Sequence, residues 1–355
     1  GIDFVEIGFR SIIKDGFKGA YAYSTDSFLD TLDIPSDLNI GIMINASELF
    51  IENQLPEKNI VKLINQTSQI KLIRIAAHLK EFKKVLPVTE TLKNMGYIVG
   101  INLMQISEAT EEDIIQYAEE ANKWPLDVLY FADSLGSLDP LQVQNIIINL
   151  RKGWDGEIGI HTHDSKTLAM INSKAALSEG ATWIDSTLTG MGRGPGNAKT
   201  ENTIIEFEKE RNAQPNLESI ADLIANYFGP LQERYSWGTN IFYYLAGEHK
   251  IHPTYIQSML EDDRYETPDI LSLINHLKEV GGTKFSKEAL ETGRQLYQSK
   301  KEGTWNPKEL FKGKEVLIIG SGPSAITHKE GLEDFIKKNH PIVLALNTKK
   351  SISES

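Results

Sequence analysis

Gly159-Ile-His-Thr-His-Asp-Ser165 is the stretch that decides the fold. Residues 157–164 around it read as a short buried strand. Side chains two apart in a strand leave the same face, so His161 and His163 project together. Two imidazoles on one strand face are half of a divalent-metal site. The alternative is a pair of structural histidines hydrogen-bonded in a core. The pair closes a strand and opens onto a polar turn.

Runs of the same kind lie on both sides. Trp183-Ile-Asp-Ser-Thr-Leu188 follows, and Val128-Leu-Tyr-Phe-Ala-Asp-Ser134 precedes. Residues 97–104, 70–77 (ending at His78), 38–45 and 1–9 continue the series toward the N-terminus. Each is rich in Ile, Val, Leu or aromatic residues, as strands buried on both faces of a parallel sheet require. Helical segments are expected between them. One covers 81–95 and stops at Gly96; another starts at the Thr110 cap and stops before Pro125. A third opens at Asp139-Pro140, a fourth spans 167–179 before Gly180, and a fifth spans 200–211.

Strand–helix alternation over some 200 residues predicts a parallel α/β fold. Seven strands are countable, and eight would close a (β/α)8 TIM barrel. The reading is therefore a barrel lacking its first strand in this chain, with that strand expected before Gly1. A doubly wound open sheet is the rival. Polar residues collect at the strand C-terminal ends: Arg10, Asn45, His78, Asn102, Asp133, His161, His163 and Thr187. In a barrel these ends meet at one mouth.

Composition bounds the partners. The 355 residues carry a net charge of -12, which argues against nucleic acid or an anionic membrane surface. Cysteine is absent, so a metal must take nitrogen and oxygen ligands. No apolar run approaches the ~20 residues of a membrane span.

The chain resembles the HMG-CoA-lyase-like family of metal-dependent barrels, which share an Asp-Arg-Glu-type signature. Within that family it is most similar to the aldolases acting on 4-hydroxy-2-oxo acids. The resemblance rests on Phe4-Val-Glu-Ile-Gly8, Ile73-Arg-Ile-Ala-Ala-His78, Tyr130-Phe-Ala-Asp-Ser-Leu-Gly136, Gly159-Ile-His-Thr-His-Asp164, Asn172-Ser173 and Gly190-Met-Gly-Arg-Gly-Pro-Gly-Asn-Ala198. It covers about residues 1–211. It implies a divalent cation, Mn or Mg, on His161 and His163, with Asn197 as a further contact. The family's third ligand, an Asp next to an Arg, and its catalytic His belong to a segment this sequence lacks, so catalytic residues stay unassigned. An active-site Tyr that follows the barrel in the aldolases falls at Asn240, a departure that bears on substrate stereochemistry.

The chemistry implied is Lewis-acid stabilisation of a pyruvate enolate as a carbon–carbon bond breaks or forms. Substrate-binding candidates are Arg10, Asn45, Arg74, Asp133 and Thr187. Arg10 and Arg74 would suit a carboxylate, or Arg74 would form a structural ion pair with Glu6 as a buried partner. Asp133 would orient a metal-bound histidine or cap the helix that follows. The glycines from Gly190 to Gly196 would let a loop pass near a ligand, or make a tight turn.

Residues 212–304 read as a helical extension, with a helix from Leu217 to Tyr227 ending at Gly229-Pro230. Residues 305–355 read as the incomplete start of a Rossmann-like unit, from the strand and glycine turn at Glu315-Val-Leu-Ile-Ile-Gly-Ser-Gly-Pro-Ser-Ala325. The third glycine is replaced by Ala, and Asn347 stands where an acid is expected. The functional expectation is a metal-dependent aldolase with a 2-oxo acid and an aldehyde as small-molecule partners, cytoplasmic, with homo-oligomerisation left open. This stretch alone is expected to be inactive. A Claisen-type acyl-CoA synthase and a non-catalytic barrel module are the alternatives.

Overall fold

A computed structural model describes residues 2–12, 16, 18–50, 56–64, 68–210, 214–297, 306–320 and 323–346. The chain divides into two compact units, 1–298 and 299–355. The first is built on seven parallel strands in the order β1 (Phe4–Phe9), β2 (Asn39–Asn45), β3 (Ile70–His78), β4 (Ile98–Met104), β5 (Val128–Asp133), β6 (Glu157–Thr162) and β7 (Trp183–Ile184). Sequential order without a switch point is the barrel arrangement, not the doubly wound one. The sheet curls until its ends approach: the rings of Phe4 on β1 and Trp183 on β7 lie 4.9 Å apart. No hydrogen-bonded ladder joins β1 to β7 among the described residues.

Strand parity sets the two faces. Ile40, Ile42 and Ile44, Ile73 and Ile75, Val99 and Ile101, Leu129 and Phe131, and Ile158 and Ile160 form one buried layer with the surrounding helices. Burying each is worth about 1.5–3 kcal/mol. The alternate residues, Arg74 and Tyr130 among them, turn the other way, into the curl.

The helices begin where capping chemistry dictates. Thr110 and Asp113 form a reciprocal capping box before Glu111–Ala121, and Asp139 with Gln142 does the same before Pro140–Arg151. The helix expected over 81–95 is two, Leu79–Val85 and Pro87–Asn94, because Pro87 has no N–H and starts a new first turn. The helix expected to stop at Gly229-Pro230 does not. Leu217–Leu223 passes through a wider turn, Ile224–Phe228, into Gly229–Tyr235, with Pro230 again in a first turn. The last strand is shorter than expected. Thr187 bonds through its backbone to Ala198 and Thr200, which draws the chain away from β6.

The second unit holds β8 (Val316–Ile319) and β9 (Ile342–Ala345), paired parallel, with helices Pro323–Thr327 and Lys329–Asn339 between them. Among the described residues this is the expected strand–helix–strand order. Ser321, Gly322 and Asn347 lie outside the described residues, as does Arg211 in the first unit. No helix among the described residues is long and apolar enough to cross a membrane.

Candidate functional site

An ionic layer lies inside the curl. Arg74 on β3 reaches Glu6 on β1 (Nε to Oε2, 2.6 Å) and Asp185 just beyond β7 (Nη1 to Oδ2, 2.6 Å). Its guanidinium carbon lies 4.6 Å from the centre of the Tyr130 ring on β5. Two glycines make the room. A Cβ at Gly159 would run into the Tyr130 ring, and one at Gly100 would crowd both Arg74 and Tyr130. Burial opposes the Arg74 charge, but Asp185 and Glu6 outweigh it and raise its pKa. Burial would likewise push Asp185 up. Arg74 and His161 instead hold it at about 2, well below the ordinary carboxylate range. Burial raises the Tyr130 phenol, so it stays protonated.

The two histidines stand on this layer. Their ring centres are 5.0 Å apart at an interplanar angle of 84°, so both project to one side, as strand parity requires. His161 Nδ1 meets Asp185 Oδ2 at 3.0 Å, and His163 Nδ1 meets the Asp133 carbonyl oxygen at 2.9 Å. A carboxylate and a carbonyl accept and cannot donate. Each Nδ1 therefore carries a proton, which leaves Nε2 as the nitrogen that can face a metal. This is the second-sphere arrangement that prepares imidazoles for a metal. Burial, with His161 and Arg193 nearby, lowers the pKa of His163 to about 3, so its ring is neutral at physiological pH.

The glycine loop delivers the next group. Asn197 pairs with His163 as an isolated bridge, and Asp164 N–H donates to Gly196 O at 2.9 Å. Asn197 Nδ2 donates to Met191 O, while its buried Oδ1 has no partner among the described residues. Glycine is needed at 196, where φ is 78° and a Cβ would press on the Gly190 carbonyl. Among the described residues no group of three or more His, Asp or Glu side chains could hold a metal. Two imidazoles tied through Nδ1 and an orphaned amide oxygen nevertheless fit a divalent cation as nitrogen and oxygen donors.

The remaining candidates are placed as follows. Thr187 Oγ1 is buried without a partner among the described residues. The Asp133 carboxylate accepts from Ser137 N–H (2.9 Å) and Leu138 N–H (3.2 Å), shaping the turn after β5, while its carbonyl holds His163. Asn45 donates to Glu48, which also holds Ser11 and the Ile12 N–H. Arg10 donates to Ser24 O, Leu63 O and Asp26, so its guanidinium ties the end of β1 to the start of helix Asp26–Leu29 and the end of helix Pro56–Leu63. Asn240 Oδ1 caps helix Ile241–Glu248. Asp185 was not singled out by sequence reasoning. Its signal was the alternation Trp183, Asp185, Thr187, which places it on the face of the candidate Thr187.

The HMGL-like family model matches residues 37–225. A 4-hydroxy-2-oxovalerate aldolase from Geobacillus thermodenitrificans is 36% identical over 140 residues, 39% of this chain and 41% of that protein. One from Bacillus thuringiensis is 27% identical over 216 residues, 60% of this chain and 63% of that protein. The chain thus spans roughly two to three fifths of the length of these curated relatives. Among solved structures, the N-terminal domain of a candidate aldolase from Bacteroides vulgatus aligns with a TM-score of 0.63 and 29% identity, over 73% of this chain and 85% of that one. The HMG-CoA lyase of Bacillus subtilis shares the fold, with a TM-score of 0.53 and 17% identity over 67% and 83% of the two chains.

Proposed function

The chain belongs to the HMGL-like family, and from that premise we propose that its protein is a divalent-metal-dependent aldolase. It would cleave or form a 4-hydroxy-2-oxo acid, with a pyruvate-class 2-oxo acid and an aldehyde as partners and Mn or Mg as cation. The names of the similar aldolases support the reaction class. The observation that carries the metal is the pair of His161 and His163 with both Nδ1 atoms tied to acceptors.

His161, His163 and Asn197 would hold the cation. Bound there, it supplies a Lewis acid to the keto oxygen of the 2-oxo acid. The chain's own residues prepare that position. Asp185 fixes the His161 ring, and the Asp133 carbonyl fixes His163. Arg74 pins Asp185, and its charge is already balanced by two carboxylates, so it acts as a positioning residue. The low proton affinity of His163 keeps its lone pair available across the physiological range. Thr187, with an unpartnered hydroxyl, would contact the substrate. Gly192-Arg-Gly194 stands where the Claisen-type synthases carry Gly-Glu-Arg, which disfavours that rival.

The test is pyruvate release from 4-hydroxy-2-oxo acids by the full protein with Mn, coupled to lactate dehydrogenase. Chelation, His161→Ala and His163→Ala should each abolish it. Activity that survives all three would refute the metal reading. Release of free coenzyme A from an acyl-CoA, with no aldol cleavage, would replace the aldolase by the synthase.

A further inference from the structure

We propose that Asn102 is a specificity-determining residue of this site, whose amide binds a hydroxyl group carried by the substrate. The inference rests on the aldolase reading above and names a feature of its substrate. Asn102 lies on β4, keeps 4% of its surface exposed, and its Oδ1 is buried with no hydrogen-bond partner among the described residues. Buried polar groups are nearly always paired, so an orphan needs a reason.

Its position supplies one. Asn102 follows Gly100 by two residues and shares its face. A Cβ at Gly100 would lie 3.3 Å from Arg74 Cγ and 3.4 Å from the Tyr130 ring, so this face is the inside of the curl. Asn102 therefore stands one pleat nearer the strand C-terminal ends than the ionic layer. His161 stands one pleat beyond Gly159, which backs on the same Tyr130 ring. The amide and the metal-facing histidine thus rise from opposite sides of one tyrosine.

Two of the neighbouring side chains offer the Asn102 oxygen nothing. Ala76 is its register partner on β3, and Ala132 lies one pleat beyond its register partner Tyr130 on β5. Both are buried methyl groups, which neither fill the space a longer side chain would take nor offer a hydrogen bond. An apolar side chain would suit such a wall better, unless something else satisfies the amide. The two ends of an amide differ only in hydrogen-bond sense, one accepting and one donating. A hydroxyl can do both, so it satisfies whichever end is presented. A carboxylate or a keto oxygen can serve only the donating end.

The test uses acids that cannot undergo aldol cleavage. Binding of 2,4-dihydroxypentanoate and 2-hydroxypentanoate is measured by calorimetry with Mn present, for the unaltered protein, Asn102→Leu and Asn102→Ser. The unaltered protein should bind the dihydroxy acid about tenfold more tightly or better. Asn102→Leu should bring the two within about twofold by weakening the dihydroxy acid alone, and should unfold at no lower temperature, since an orphaned amide is gone. Asn102→Ser, smaller but still polar, should retain part of the preference. Equal binding of the two acids by the unaltered protein, or a preference that persists in Asn102→Leu, would overturn the assignment while leaving the aldolase reading intact. Binding of neither acid would overturn both.

Discussion

Replacing Asp185 by Asn removes a carboxylate that serves Arg74 and His161 together. The side chain is 19% exposed, so solvent screens it little. Its pKa is about 2 in the fold against an ordinary value of 3.8. A lowering of that size corresponds to roughly 2 kcal/mol. A depressed carboxylate pKa stabilises the fold above the unfolded value, near pH 4, and that stabilisation is lost as pH falls through about 2. Removing one partner of a buried ion pair costs about 3–5 kcal/mol. The lower figure is apt here because Glu6 still holds Arg74 at 2.6 Å. Asp185→Asn should therefore lower the melting temperature by a few degrees at pH 7, with the gap closing on acidification below pH 4. It should also weaken Mn binding about 10–100-fold, because the His161 ring loses its anchor. Differential scanning calorimetry and Mn titration measure the two effects. Glu6→Gln is the control: it breaks the other Arg74 contact and spares His161, so it should destabilise without changing Mn affinity. Unchanged Mn affinity in Asp185→Asn, or an equal loss in both variants, would refute the claim that this carboxylate positions the histidine.

Burial raises Asp133 to about 6, although the N–H groups of Ser137 and Leu138 pull the other way. A raised carboxylate pKa leaves its stabilisation complete below about pH 4 and removes it as pH rises through about 6, by up to about 3 kcal/mol. Urea unfolding at pH 4, 5 and 6 should show this fall in the unaltered protein and a flatter profile in Asp133→Asn; identical profiles would count against it. Gly159→Ala drives a methyl group into the Tyr130 ring and should cost about 1–3 kcal/mol in urea unfolding. A neutral result would mean that the ring moves aside.

The strands were legible because their chemistry is local. A run such as Ile73-Arg-Ile-Ala-Ala77 declares both its strand character and its two faces. The histidine pair was legible for the same reason, since parity alone puts both rings on one side. The partners that fix those rings were harder to see. Asp185 sits just past the last strand, and His163 is held by a backbone carbonyl, which no residue type announces. The partners of Arg10 were equally hidden: at a strand end it reads as a substrate ligand, and in the fold it donates to the carbonyl oxygens of Ser24 and Leu63, 14 and 53 residues away. The long helical run through Gly229-Pro230 was misread because proline interrupts a helix in its middle but not in a first turn.

Tyr130 occupies volume that positions 100 and 159, on the two adjoining strands, have given up. Packing therefore limits the bulk at these three places as a sum. A descendant that trimmed the tyrosine would leave a void that a methyl group at 159 could refill, whereas enlarging 159 first would be punished until the ring shrank. The order in which such substitutions can accumulate is restricted, and the three positions should drift together.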